Sequence, residues 1–341
     1  MNARERILKT LQFEPVDRAP FDLMEGILWP EIMDYFRSQH GLSTPDEVIA
    51  YVDPDIRWTG ITYVGPPETP GQVQPDSGIY SEAVAVGPLY DATSAAEVEA
   101  FPWPEPDYWQ VPDVQAARAR FPEHALALLA WKPLFLTACD IFGMEWALTK
   151  MLTHPQVFEA AVARKHAINM ALFERTMLAA EVSCDIFWLG DDFAGQQGML
   201  MNPRHWRKFI KPYLAEEVAL ARSHGMAVLY HSCGAVSSVL DDLIEIGVNG
   251  LGVFQTSAAG MDAESIAKRF GGQMVFYGGI DVQQLLSYGT PEEVAQRVQD
   301  NLHAFAGCGG YIVANSHRID TIKGENLEVM CRTAASTMLP G

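Results

Sequence analysis

The chain has 341 residues, 48% hydrophobic and 20% charged, the balance of a globular protein with ample material for a core. Its 24 Lys and Arg against 43 Asp and Glu give a formal charge of −19, which argues against nucleic acid or an anionic membrane surface as partner. No apolar run approaches the roughly 18 residues of a membrane span, and five scattered cysteines do not form a disulfide framework.

In chain order, Met1-Asn-Ala-Arg-Glu-Arg6 begins a polar amphipathic helix over 3–12. No signal-peptide apolar region stands behind it, so a cytoplasmic protein is expected. Glu14-Pro-Val-Asp-Arg-Ala-Pro20 is the loop that ends this helix, and Phe21-Asp-Leu-Met-Glu25 reads as a first strand. Short helical pieces are expected at 30–36 and 45–51. Residues 55–90 look irregular and partly β, with one strand in 56–64 and a second stretch over 79–86. The proline-rich segment from Phe101 to Trp109 reads as a stiff connection whose two Trp residues pack over the barrel exterior, a binding site being the alternative.

From residue 124 the pattern becomes regular. Strand-like runs are expected at 124–131, 184–190, 226–231, 250–255, 273–279 and 310–315. Helices are expected at 140–151, 155–180, 203–224, 235–246, 262–269 and 290–306. Alternating buried strands and helices imply parallel βαβ units. With the two N-terminal strands the count is eight, which predicts a distorted (β/α)8 TIM barrel with an irregular N-terminal region, one domain over 1–341. A doubly wound open sheet is the alternative, weakened because no GxGxxG or P-loop stands at a strand-to-helix turn.

Barrel active sites form at the C-terminal ends of the strands. Those ends supply Glu25, Lys132, Asp191, Asp192, His231, Cys233, Gln255, Asp281 and His317. The strongest signal is Met226-Ala-Val-Leu-Tyr-His231-Ser-Cys233-Gly234. Residues at i and i+2 of a strand project to the same side, so an imidazole and a thiol are presented together where the chain leaves the sheet. Both are zinc ligands by preference; the alternative is a strand-capping His beside an ordinary buried Cys. Glu25, Asp191 and Asp192 are catalytic candidates, the aspartates as metal ligands, as general acid/base, or as helix caps. Lys132, Gln255 and Asp281 are candidates for substrate binding. Lys132 would hold an anionic substrate group or neutralise the aspartates.

The chain resembles the uroporphyrinogen decarboxylase superfamily over nearly its whole length. The resemblance rests on Glu14–Pro20, on Gly190-Asp-Asp-Phe-Ala-Gly-Gln196 with Asn202–Tyr213, on His231–Gly234, on Phe276-Tyr-Gly-Gly-Ile-Asp281 and on Tyr311-Ile-Val-Ala-Asn-Ser-His317. It implies a distorted (β/α)8 barrel. The superfamily divides into decarboxylases and cobalamin-linked methyltransferases. Decarboxylases carry an arginine-rich segment after the first strand; here Leu23-Met-Glu-Gly-Ile-Leu-Trp29 has none. The decarboxylase aspartate falls near Gly60-Ile61, and the substrate-binding tyrosine near Cys139.

The methyltransferase branch keeps a His-x-Cys, matched by His231 and Cys233, and a third zinc ligand far downstream. The family spacing points towards Cys308, whereas alignment of the last strand points to His317. Cys308 precedes that strand and His317 follows it, roughly 20 Å apart at about 3.3 Å per residue, so His317 shares the end occupied by His231. The resemblance thus implies zinc, a corrinoid (cobalamin) on a separate partner protein, and a small thiol or a methylated or methoxylated compound. Alternatives are a decarboxylase of a small or tetrapyrrole carboxylate and a non-catalytic barrel that binds a small anion or metal.

Overall fold

The computed structural model describes residues 1–26, 28–66, 86–180, 183–317 and 321–339. Seven strands form one wholly parallel sheet: β1 (Ile56–Gly60), β2 (Ala125–Leu129), β3 (Ile186–Gly190), β4 (Ala227–His231), β5 (Gly250–Phe254), β6 (Val275–Ile280) and β7 (Tyr311–Asn315). Each strand lies beside its successor in sequence. That order excludes a doubly wound sheet, whose strand order reverses at a switch point.

The eighth position is filled by very little chain. Phe21 makes a parallel bridge to Val313 of β7. The Asp22 N–H donates to the Val313 carbonyl at 2.9 Å, and the Val313 N–H donates to Pro20 at 2.9 Å. On the other side the Asp55 N–H, just ahead of β1, donates to the Phe21 carbonyl at 3.0 Å. The expected strand 21–25 therefore shrinks to a bridge. It stops because Glu25 (φ 55°) and Gly26 (φ 63°) are left-handed and turn the chain through a 3₁₀ segment, Met24–Gly26. The β5–β6 pairing adds a further irregularity, its register shifting between Phe276 and Gly278.

Side chains alternate across the strands, as a period of two requires. Ala125, Ala127, Ile186, Trp188, Leu229, Val275, Tyr277, Ile312 and Ala314 fill the barrel interior, joined by Ile7 and Leu11 of the N-terminal helix Ala3–Leu11. This helix lies at the N-terminal ends of the strands. Its Arg4 N–H donates to the Glu123 carbonyl ahead of β2, and the Arg4 guanidinium pairs with Asp185 ahead of β3. The alternate residues Leu126, Leu128, Phe187, Leu189, Val228 and Tyr230 pack outward under the helices.

Several helices differ from expectation. The expected 140–151 is two helices, Phe135–Phe142 and Met144–Thr153, parted at Gly143 (φ 87°). The expected 203–224 divides into Pro203–Phe209 and Lys211–Ser223, with Pro212 opening the second. The expected 235–246 is a 3₁₀ turn, Ser237–Val239, followed by Leu240–Glu245. Gly324–Ser336, Ala95–Glu99 and Val114–Arg120 are helical without having been expected. Trp103 and Trp109 are buried in the outer core. Most of the expected 79–86 stretch lies outside the described residues. No described helix is long and apolar enough to cross a membrane.

Candidate active site at the barrel mouth

His231 is the last residue of β4, and Cys233 stands two positions on among the interior residues. Both are buried. The imidazole lies between two carboxylates: Nδ1 is 3.3 Å from Glu25 Oε1, and Nε2 is 3.6 Å from Asp192 Oδ1. Nε2 is buried with no hydrogen-bond partner among the described residues. Burial disfavours the imidazolium, but Asp192 and Glu25 outweigh it and hold the His231 pKa above its ordinary value.

Glu25 reaches this position because of its left-handed backbone, a conformation that costs about 1–3 kcal/mol for a non-glycine residue and persists where surroundings over-determine it. The surroundings here are Trp188 Nε1, which donates to Glu25 Oε1 at 3.1 Å, and His231 itself. Asp192 Oδ1 accepts the Cys233 N–H at 3.0 Å, tying the turn after β3 to the turn after β4. Trp131 lies edge-on to the His231 ring at 4.7 Å, with His317 at 5.9 Å and Trp188 at 6.2 Å. Gly190 makes the first contact possible, since a Cβ there would lie 2.4 Å from the Trp131 ring and 2.8 Å from His231 Cβ.

The remaining candidates are distributed unequally. The Asp191 carboxylate accepts the N–H groups of Leu134, Phe135 and Leu136 at the start of the helix Phe135–Phe142, the capping alternative. Burial pushes its pKa up to about 7, with the Asp192 charge adding to the rise and the three N–H bonds opposing it. Asp281 likewise accepts from Gln284 and Leu285 at a helix start and from the Ser257 hydroxyl. Gln255 Oε1 accepts from the Gly234 N–H at 2.8 Å and from Gln196 at 3.0 Å, fastening the mouth loops together.

Lys132 does not join the His231 group. Its Nζ donates to the Trp131 carbonyl and lies over the Trp109 ring in the outer layer, where Lys165 approaches the same ring. Burial lowers the Lys132 pKa to about 7, with Lys165 adding to the fall. Cys308 donates to the Phe305 carbonyl ahead of β7 and packs on Gly271, whose added Cβ would lie 2.4 Å from the sulfur. His317, not Cys308, is therefore the downstream residue brought beside His231.

Sequence reasoning passed over Asp22, Trp58, Trp131, Trp188 and Tyr277. Asp22 Oδ2 accepts from Trp58 Nε1 at 2.9 Å and from the Tyr277 hydroxyl at 2.8 Å, all within the barrel. The available signal was a carboxylate within the apolar run Phe21-Asp-Leu-Met.

Among the described residues, no three His, Cys, Asp or Glu side chains stand together as a formed metal site. The residue chemistry nonetheless fits zinc. A buried Nε2 without a hydrogen bond among the described residues and a thiol two residues on are the donor types zinc takes, and a carboxylate on the other ring nitrogen is the usual support of a ligating histidine.

The uroporphyrinogen decarboxylase (URO-D) family model matches residues 133–336, more than half of the chain. The chain belongs to the uroporphyrinogen decarboxylase family. Among solved structures, a methyltransferase from Methanosarcina mazei superposes with a TM-score of 0.64 over 98% of each chain at 15% identity, which shows the shared distorted TIM-barrel fold. Weaker likenesses are to an IOLI protein with a bound zinc atom (TM-score 0.37, 12% identity, 65% of this chain and 80% of that one) and to D-psicose 3-epimerase from Clostridium cellulolyticum H10 (0.40, 10%, 94% and 96%). No curated protein matches the sequence. Members of the URO-D family are enzymes, decarboxylases or methyltransferases, and this chain carries its buried polar group where a barrel enzyme of the family would.

Proposed function

We propose that the chain is a zinc-dependent methyltransferase that moves a methyl group between a corrinoid, carried on a separate protein, and a small thiol or a methylated or methoxylated compound. The observation that carries this reading is the buried His231 Nε2, without a hydrogen bond among the described residues, two positions from Cys233 and with Glu25 on the opposite ring nitrogen. His231, Cys233 and His317 would hold the metal. Bound there, zinc would supply a Lewis acid that lowers the pKa of a substrate thiol or polarises an ether oxygen.

The chain's own residues divide the other tasks. Glu25, itself fixed by Trp188, holds the His231 ring so that Nε2 faces away from the Glu25 contact. Trp131 and Trp188 flank the imidazole and exclude water from it. Asp192 commits Oδ1 to the Cys233 N–H, leaving Oδ2 to receive the proton of a substrate thiol. The absence of arginine from 23–29, where Glu25 stands instead, disfavours a porphyrinogen with its many carboxylates.

The test pairs elemental analysis with methyl exchange between methylcobalamin or cob(I)alamin and a panel of thiols and methoxy compounds. About one zinc per chain is expected, lost in the double variant His231→Ala/Cys233→Ala, reduced in His317→Ala and retained in Cys308→Ser. Stoichiometric zinc in the double variant, or porphyrinogen decarboxylation at enzymatic turnover, would overturn the reading.

A further inference from the structure

The mouth around His231 is acidic and lined by indoles. Glu25 uses Oε1 for both of its bonds, and Asp192 uses Oδ1 for its own, so each leaves one carboxylate oxygen uncommitted among the described residues. No described Lys or Arg pairs with either carboxylate. The nearest basic candidate in sequence, Lys132, is held with Lys165 over Trp109 in the helix layer. Trp58 and Trp131 are only partly buried, while Trp188, wholly buried, lies against both Trp58 (5.0 Å) and His231 (6.2 Å) and forms the floor between them. Gly26 lets the Glu25 turn sit close to Trp58, since a Cβ there would lie 2.9 Å from the indole.

An anionic substrate group would meet two carboxylates here, with no cation among the described residues beside them. Indole faces attract cations through the ring quadrupole, and a carboxylate beside them adds a Coulomb partner in a partly dry setting. The whole-chain charge of −19 works in the same direction by raising the local concentration of cations.

From this we infer that the non-reacting end of the substrate carries a cationic group, an ammonium, which occupies the mouth between Trp58, Trp131 and Glu25. The inference deepens the methyl-transfer reading and rests on it only for the reacting end, at His231 and Cys233. The substrate class is then a small amino-thiol or a methylated amine-bearing compound, and thiols that end in a carboxylate or sulfonate should bind more weakly.

Binding to the purified full chain, followed by calorimetry and by quenching of tryptophan emission, tests this without any methyl donor. Two matched pairs serve as probes: choline against its uncharged tert-butyl isostere, and cysteamine against mercaptoacetate. The cation of each pair should bind about ten-fold tighter or better. Glu25→Gln and, separately, Trp131→Leu should remove that preference. Equal or tighter binding of the isostere or of mercaptoacetate would overturn the inference, as would failure of both cations to bind at millimolar concentration. Because choline lacks a thiol and the readout needs no corrinoid, this ranking and the methyl-transfer assay can fail independently.

Discussion

Asp22 is wholly out of solvent, with Trp58 and Tyr277 both donating to Oδ2 and with Oδ1 lacking any partner among the described residues. Burial pushes its pKa up to about 8 against the two hydrogen bonds, so it is a neutral acid through most of the ordinary pH range. A carboxyl whose folded pKa exceeds its unfolded value contributes stability that is complete below about pH 4 and is lost as pH rises towards 8. Asn at this position can still accept from Trp58 and Tyr277 but does not titrate. Asp22→Asn should therefore match the wild type near pH 4 and gain on it steadily up to pH 8, read as the difference in urea midpoint across that window. A difference that stays constant with pH would show that the carboxyl is ionised in the folded protein. Through Trp188, which packs on both Trp58 and Tyr277 at 5.0 Å and donates to Glu25, this one residue braces the support of His231.

At the scale of elements, the site depends on one turn packing against another. After β4 the chain passes Gly234 at φ +85°, where a Cβ would lie 2.6 Å from the Gly195 carbonyl oxygen and 2.8 Å from that of Ala194. The hairpin pairing Ala194–Gly195 with Gly198–Met199 closes onto this turn, and the Ala235 N–H donates to Gly195 at 2.9 Å. Gly234→Ala combines a backbone penalty with a steric one, together about 2–4 kcal/mol. Denaturant unfolding should show that loss, while Gly225→Ala, also at positive φ but with open space around its Cβ, should show the backbone part alone. The positions of His231 and Cys233 were legible in sequence because strand alternation fixes them without reference to anything distant. The partners of His231 were not. Glu25 lies 206 residues away and arrives through a left-handed turn that interrupts the strand expected over 21–25. Lys132 shows the opposite failure: the strand end was found, but one step along the chain turns a side chain from the mouth to the helix layer.

For the whole molecule, the decisive feature is how a seven-stranded sheet closes with, among the described residues, a single bridge at the seam. The Pro20–Asp22 segment contributes three backbone hydrogen bonds between β7 and the lead-in to β1, too few to hold a barrel edge alone. The rest comes from Asp55, completely buried immediately before β1. Its carboxylate takes Arg6 from the plugging helix, Arg18 from the Glu14–Pro20 loop at 2.9 Å, and the Phe21 N–H at 3.0 Å. One anion thereby ties the plug, the loop and the seam to the first strand, which gives the Asp17-Arg18 of that sequence motif a structural role; Asp17 in turn pairs with Arg6. Removing one member of a buried ion network costs more than the pair contributes, because the remaining charges lose their partner without regaining water, typically about 3–5 kcal/mol. Asp55→Ala should lose that much in urea unfolding. It should also raise amide exchange at Phe21 and Val313 before exchange rises in β3 and β4. The exposed pair Arg269–Asp241 is the control, since Arg269→Ala should cost under about 1 kcal/mol. Were Asp55→Ala no more damaging than Arg269→Ala, the barrel would be closed by its backbone bridge and core packing, and the buried arginines would need another explanation.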